Sequence, residues 1–224
     1  MLRFASKIKR PRFAHVLVGL LLILVLTPAL QHVARPGMTR MLGLLGLVIP
    51  VLAMSAAGDA GRPRHIAIGM ALLCVLTSAD TMIGFTHLPP QIGIAACVCF
   101  LAFTTLRLIV GVVRSRKVTG DVIAGALSSY MMVGLTWAFA YGLLETVRPG
   151  SIHGLSEGST PLGFSALLYF SYITLLSIGF GDITPVSATA RMMTVFEGLL
   201  GMAFTTIILA VLVAAYLNRR DDEK

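Results

Sequence analysis

Apolar residues in this chain gather into runs of about twenty, the length a helix needs to cross the hydrocarbon core of a bilayer. That spacing constrains the fold before any motif is considered. A water-soluble domain carries about a quarter of its residues as charges, whereas here only 12% are charged and 56% are hydrophobic. The chain of 224 residues is therefore read as an all-α integral membrane protein with almost no soluble domain. A formal charge of +8 invites a nucleic-acid partner. The bases, however, stand at the ends of apolar runs, which is the pattern that orients membrane helices, and no nucleic-acid partner is expected. Cys74, Cys97 and Cys99 all fall inside apolar runs. Cys97 and Cys99 are two apart and point to different faces of a helix, so small buried residues are expected rather than metal ligands.

Residues 1–12 are basic, with Arg3, Lys7, Lys9, Arg10 and Arg12, and precede an apolar run from about Phe13 to Val33. That run exceeds the usual signal-peptide core and is read as a membrane helix. Further runs extend from about Met41 to Ala57 (with Pro50 inside), His65 to Phe85, Ile92 to Val113 and Val122 to Val147. A polar, glycine-rich link, Arg148 to Gly163, leads to a short apolar segment, Phe164 to Leu176. At about 1.5 Å per residue that segment reaches under about 20 Å and cannot span, so it is expected to dip in and return. A last helix is expected from about Ala188 to Leu217, after the Thr184-Pro185 turn.

Six crossings place both termini on one side. The N-terminal bases, Arg62, Arg64, Arg114, Arg116, Lys117, Arg219, Arg220 and Lys224 outnumber Arg35, Arg40, Arg148 and Arg191 on the other face by about three to one. Both termini are thus expected in the cytoplasm, with the protein in the cell (inner) membrane.

Between the short segment and the last helix lies Thr174-Leu175-Leu176-Ser177-Ile178-Gly179-Phe180-Gly181-Asp182. To pass a dry constriction, a potassium ion exchanges its hydration shell for protein oxygens. A row of backbone carbonyls supplies them if successive carbonyls face one axis. An ordinary strand alternates them, so some residues must take left-handed angles, which Gly179 and Gly181 do at little steric cost. Ser177 adds a hydroxyl at the inner end, Ile178 and Phe180 wedge outward, and Asp182 stands at the outer mouth, where its charge attracts cations. One such strand supplies oxygens on one side only. A closed cage requires several chains around an axis.

Ser-Ile-Gly-Phe-Gly-Asp resembles the selectivity-filter signature of potassium channels, usually Thr-Val-Gly-Tyr-Gly-Asp. From about Phe164 to Leu217 the chain resembles the pore module of the two-helix ion-channel family. Tyr169-Phe170-Ser171-Tyr172-Ile173-Thr174-Leu175 matches its aromatic-rich pore helix, and Gly181-Asp182-Ile183-Thr184-Pro185 its filter exit. The overall layout is similar to small bacterial channels with six helices and no cytoplasmic sensor domain. The resemblance implies a homotetramer that binds K+ at Ser177, Ile178, Gly179, Phe180 and Gly181. It implies a gating hinge at Gly201, with Gly198 one turn before it; close packing of small residues between helices is the alternative reading of both. It also divides the chain into a cytoplasmic N-terminus (1–12), a sensor-like four-helix domain (13–117), a pore domain (118–217) and a short tail (218–224). Membrane lipid is the expected surrounding, with no cofactor and no small-molecule substrate.

Three departures from the family pattern are visible. Ser177 replaces the commoner threonine, and Leu176 replaces a second hydroxyl residue. Phe180 replaces the usual tyrosine, which removes a phenol hydroxyl that braces the filter and implies a less rigid outer filter. Gly-Phe-Gly filters do occur in some potassium channels. The first four helices lack a sensor's regular arginines. Arg107 lies about two turns inside the fourth, and Asp80 is the acid of the preceding membrane helices, either a partner for Arg107, a protonation site or a hydrogen-bonded packing residue. Glu197 is expected either to anchor the last helix by hydrogen bonds behind the pore helix or to hold negative potential near the cavity, with anchoring the favoured role. Trp137 and Tyr141 are expected as packing, and His153 as a solvated loop residue.

A rival comes from another class. Gly179-Phe180-Gly181-Asp182 also reads as the Gly-x-Gly-Asp motif of intramembrane aspartyl proteases, with Asp80 as the second aspartate. Against it, the segment before the motif is too short to span, Asp182 falls on the outer side, and the aromatic run has no task in a protease. A non-conducting partner subunit of a transporter is a third reading.

Overall fold

The computed structural model describes residues 13–33, 62–83, 89–115, 119–155 and 164–222. Its helices are α1 (Ala14–Val33), α2 (Arg62–Ile83), α3 (Pro90–Val113), α4 (Gly120–Val147), α5 (Phe164–Leu175) and α6 (Ala188–Asp222). Two short strands, β1 (Ile152–His153) and β2 (Thr184–Pro185), pair antiparallel, Ile152 opposite Pro185 and His153 opposite Thr184. The expected run from Met41 to Ala57 and the basic residues 1–12 lie outside the described residues.

Five of the expected long runs, and the short one, coincide with helices. Among the described residues, α3 and α4 are long and apolar enough to cross a membrane by length and composition. Helix α3 opens with Pro89 as its N-cap and Pro90 in its first turn, where a missing N–H costs no intrahelical bond. Helix α4 opens on Thr119, whose Oγ1 accepts from the Val122 N–H at 3.4 Å. The helix expected to stop at Leu217 continues to Asp222. Hydropathy ends at Leu217, but Asn218-Arg219-Arg220-Asp221-Asp222 contains no glycine or proline to stop a helix.

Helix α4 is the hub: α1, α3, α5 and α6 all pack on it, and α2 packs on α3. Phe13, Val16, Leu20, Leu101, Leu108, Met131, Met132, Leu135, Ala138 and Leu168 form one buried cluster. Tyr141, Leu144, Ile152, Leu167, Phe170, Ile183 and Ala190 form a second, toward the strands. Cys74 and Cys97 are buried with Ala67 and Phe100 in a third, between α2 and α3; Cys99, expected to be buried as well, is exposed, because its offset of two residues turns it to another face of α3.

Polar groups inside the bundle are satisfied locally. Thr104 donates to the Phe100 carbonyl at 2.9 Å, Ser129 to Gly125 at 2.8 Å and Ser128 to Ala124 at 2.7 Å. Each bond returns one turn along the same helix, so the hydroxyl needs no water. Large apolar side chains such as Leu72, Leu76, Leu106, Phe196, Leu199 and Met202 face outward. A helix that hides its hydroxyls and shows its hydrocarbons is adapted to lipid or to other chains rather than to water.

Candidate functional site

Helix α5 is too short to cross a bilayer, and its C-terminal end sets the geometry of the strand leaving it. The Ile178 N–H returns to the Ile173 carbonyl at 2.8 Å, and the Ser177 N–H to Thr174 at 2.9 Å. With Ser177 at φ 58°, this pair of bonds is a Schellman cap, closed here by serine where glycine is usual. The Gly179 N–H also reaches the Ile173 carbonyl at 3.2 Å.

Left-handed angles then recur at every second residue: Ser177 at 58°, Gly179 at 56° and Gly181 at 81°. Ile178 and Phe180 between them keep negative φ. In an extended strand successive carbonyls point to opposite sides. Reversing the hand at alternate residues turns every other carbonyl back, which is the device a row of aligned oxygens needs. Around Gly179 and Gly181 an added Cβ would meet nothing within 4 Å. Glycine is thus required there for its backbone angle, not for room. Residues 176–182 are all exposed in the single chain, Phe180 at 70%. The polar groups along this exposed stretch are main-chain carbonyls and the Ser177 hydroxyl, with the Asp182 carboxylate next in the chain.

The strand is held from behind by α4 and α6. The Tyr172 hydroxyl donates to the Met131 carbonyl at 2.9 Å, and the Tyr130 hydroxyl to the Leu175 carbonyl at 2.8 Å. Helices α4 and α5 cross at Gly134, where an added Cβ would stand 2.6 Å from the Tyr172 ring. Ser171 Oγ lies 2.7 Å from the Gly134 carbonyl oxygen and 2.5 Å from Glu197 Oε1. Glu197 is fully buried, and its Oε2 accepts from the Tyr141 hydroxyl at 2.7 Å. Glu197 therefore joins α6 to both α4 and α5, the anchoring expected of it. Tyr141, expected only as packing, supplies one of the two hydroxyls. Gly201 is buried against the Leu175 carbonyl, so an added Cβ would overlap that oxygen, while Gly198 has open space.

The end of the stretch at Asp182 is closed by the link after α4. The Glu145 carboxylate accepts from the Gly150 N–H at 2.9 Å and the Ile152 N–H at 2.6 Å. Ser151 accepts on its carbonyl from the Val186 N–H at 2.8 Å. Gly154, at φ 90°, is pressed against the Asp182 carbonyl with no room for a Cβ. His153 is exposed, as expected, although it lies in β1 opposite Thr184 and not in a loop.

Arg107 is half-buried on α3. Asp80 belongs to α2, and its side chain lies outside the described residues. Tyr130, Tyr141, Glu145 and Gly154 were not singled out for these roles by sequence reasoning. An acid in the last turn of α4 shortly before Gly154, and tyrosines about three turns apart on one helix, were the available signals.

Residues 127–218 match the family model described as an ion channel. The chain is 30% identical over 95 residues to two pore potassium channel c of Oryza sativa subsp. japonica, which covers 42% of this chain and 19% of that protein. It is 36% identical over 55 residues to two-pore potassium channel 2 of Arabidopsis thaliana, which covers 25% of this chain and 12% of that protein. The matched stretch thus spans about a fifth or less of either relative. No solved structure matches the chain significantly. Over residues 127–218 the chain is thus similar to ion channels, and over shorter stretches to these two potassium channels.

Proposed function

We propose that the chain is a subunit of a potassium channel in which four copies surround one axis. The filter is Ser177 to Gly181, Asp182 stands at its outer mouth, and potassium passes down its electrochemical gradient with no covalent chemistry. The observation that carries this reading is the alternation of backbone hand at Ser177, Gly179 and Gly181 directly after a helix too short to span. The exposed apolar face of α6, with Met192, Val195, Phe196, Leu199 and Met202, supports assembly, because lipid and neighbouring copies are the partners that would cover it.

In this arrangement α4 is the outer helix, α5 the re-entrant pore helix and α6 the inner helix. Gly201 is the hinge at which the inner ends splay. The layout has six crossings in the cell (inner) membrane with both termini in the cytoplasm. The first four helices move no regular row of charges, so steep voltage dependence is not expected.

The protein reconstituted in liposomes tests the proposal by ion-replacement flux. Potassium efflux that sodium does not replace is the expected result, and equal permeation of the two ions would overturn it. The protease reading finds no support in the family model or the relatives. The same preparation checks it, since Asp182→Asn would abolish proteolysis but need not abolish potassium flux.

A further inference from the structure

Glu197 sits between packed apolar helices, where an ionised group is costly. It is fully buried in the single chain, before any second copy is added. Its carboxyl is met by two hydroxyls, Tyr141 from α4 and Ser171 from α5, and by no base among the described residues that bond to it. Counting hydrogens at these atoms decides its protonation state.

Each hydroxyl has one hydrogen to give and lone pairs to accept with. The Tyr141 hydrogen goes to Glu197 Oε2 at 2.7 Å, since Thr194, the other neighbour, is farther at 3.4 Å. Thr194 spends its own hydrogen on the Ala190 carbonyl at 2.8 Å. Ser171 then faces two oxygens at hydrogen-bond distance, Gly134 O at 2.7 Å and Glu197 Oε1 at 2.5 Å. A carbonyl can only accept. If Glu197 were a carboxylate it could only accept too, and Ser171 has one hydrogen for both. One of the two close pairs would then be oxygen against oxygen with nothing between.

We infer that Glu197 is held as the neutral acid, that Oε1–H donates to Ser171 Oγ, and that Ser171 Oγ–H donates to the Gly134 carbonyl. Every contact is then satisfied in one direction. The acid gives one hydrogen bond and, on Oε2, receives one from Tyr141. This makes Glu197 a positioning residue: a hydrogen-bond chain runs from α6 through α5 to α4, behind the strand that begins at Ser177. An ionised Glu197 would break the chain at Ser171 and leave a buried charge. Its consequence for conduction rests on the channel proposed above; the count of hydrogens does not.

Glutamine is the informative replacement. Its amide N–H can donate to Ser171 and its carbonyl can accept from Tyr141, which reproduces the neutral acid but not the carboxylate. Difference infrared spectroscopy of the purified protein at neutral pH, wild type against E197Q, is the direct test. A carbonyl stretch of a protonated carboxylic acid that E197Q lacks is expected. Carboxylate bands lost in its place would overturn the inference. In parallel, E197Q should keep the wild-type melting temperature, and E197A should fall by on the order of 5 °C. An E197Q protein as impaired as E197A would also overturn it. If E197A does not assemble, the infrared comparison still decides. An acid band in a protein that passes no potassium would sink the channel reading and leave this one standing.

Discussion

The backbone of Gly201 rests against the carbonyl of Leu175, the same oxygen that takes a 2.8 Å hydrogen bond from Tyr130. The obstacle to a side chain at Gly201 is main chain at a helix end, which cannot swing aside as a flexible side chain can. Gly201→Ala should therefore destabilise the fold by about 1–3 kcal/mol. Gly198→Ala, three residues earlier and facing open space, should be near neutral. Thermal melting of the detergent-solubilised protein separates the two. Were Gly201 needed only for bending, its alanine variant would melt with the wild type and differ in open probability alone.

Ser177 carries two burdens that a substitution can split. Its left-handed backbone angle costs a side-chain-bearing residue roughly 1–2 kcal/mol, a strain glycine does not feel. Its hydroxyl is the proposed innermost oxygen of the ion path. Ser177→Gly should raise the melting temperature in potassium-free buffer, because strain is released. It should shrink the further rise on adding potassium, because a ligand that binds the folded state stabilises it in proportion to affinity. A potassium-induced shift equal to that of the wild type would remove the hydroxyl from the site.

The proposed outer mouth at Asp182 is held by residues well before it in the chain. Gly154→Ala places a side chain on a left-handed residue and drives it into the Asp182 carbonyl. Glu145→Gln keeps one acceptor oxygen for two N–H groups, Gly150 and Ile152, at a cost of about 1–2 kcal/mol. Both variants should lose potassium conductance faster during sustained flux than the wild type. Phe180→Tyr, which restores a hydroxyl to the filter, should lose it more slowly. Unchanged kinetics in all three would mean that the link after α4 does not brace the filter.

The distance along the chain between interacting atoms decided how much of the fold and of the site was legible in the sequence. The helices were written in runs of apolar residues, and the strand in a six-residue motif, because both signals are contiguous. Tyr130 bonds to a carbonyl 45 residues away and Tyr141 to a carboxylate 56 residues away. No period or spacing in the chain records such a pair. Tyr141 thus read as packing, although Glu197, the one acid of its helix before the polar tail, already stood out by its desolvation cost. Ser177 hides its left-handed angle for a different reason. Serine at that cap position is rarer than glycine, and only the alternation with Gly179 and Gly181 reveals it.

Helix α1 is fastened by a residue more than a hundred positions later. Its first amides, Phe13 and Ala14, donate to Asp121 Oδ1 at 2.9 and 3.1 Å, so the first turn of α4 caps α1. Below the cap, Phe13 packs so closely on Gly125 that an added Cβ would stand 2.8 Å from its ring. Helix N-termini gain about 1 kcal/mol from an acceptor in this position, with a further contribution when it is charged. Asp121→Ala should therefore expose the start of α1, and Asp121→Asn, which keeps an oxygen but loses the charge, should do so less. Hydrogen exchange read by mass spectrometry over residues 13–20 is the measurement. Faster exchange confined to that segment is expected in the order Ala, then Asn, then wild type. Exchange that is unchanged there would show that packing of Phe13, Val16 and Leu20 holds the helix without its cap.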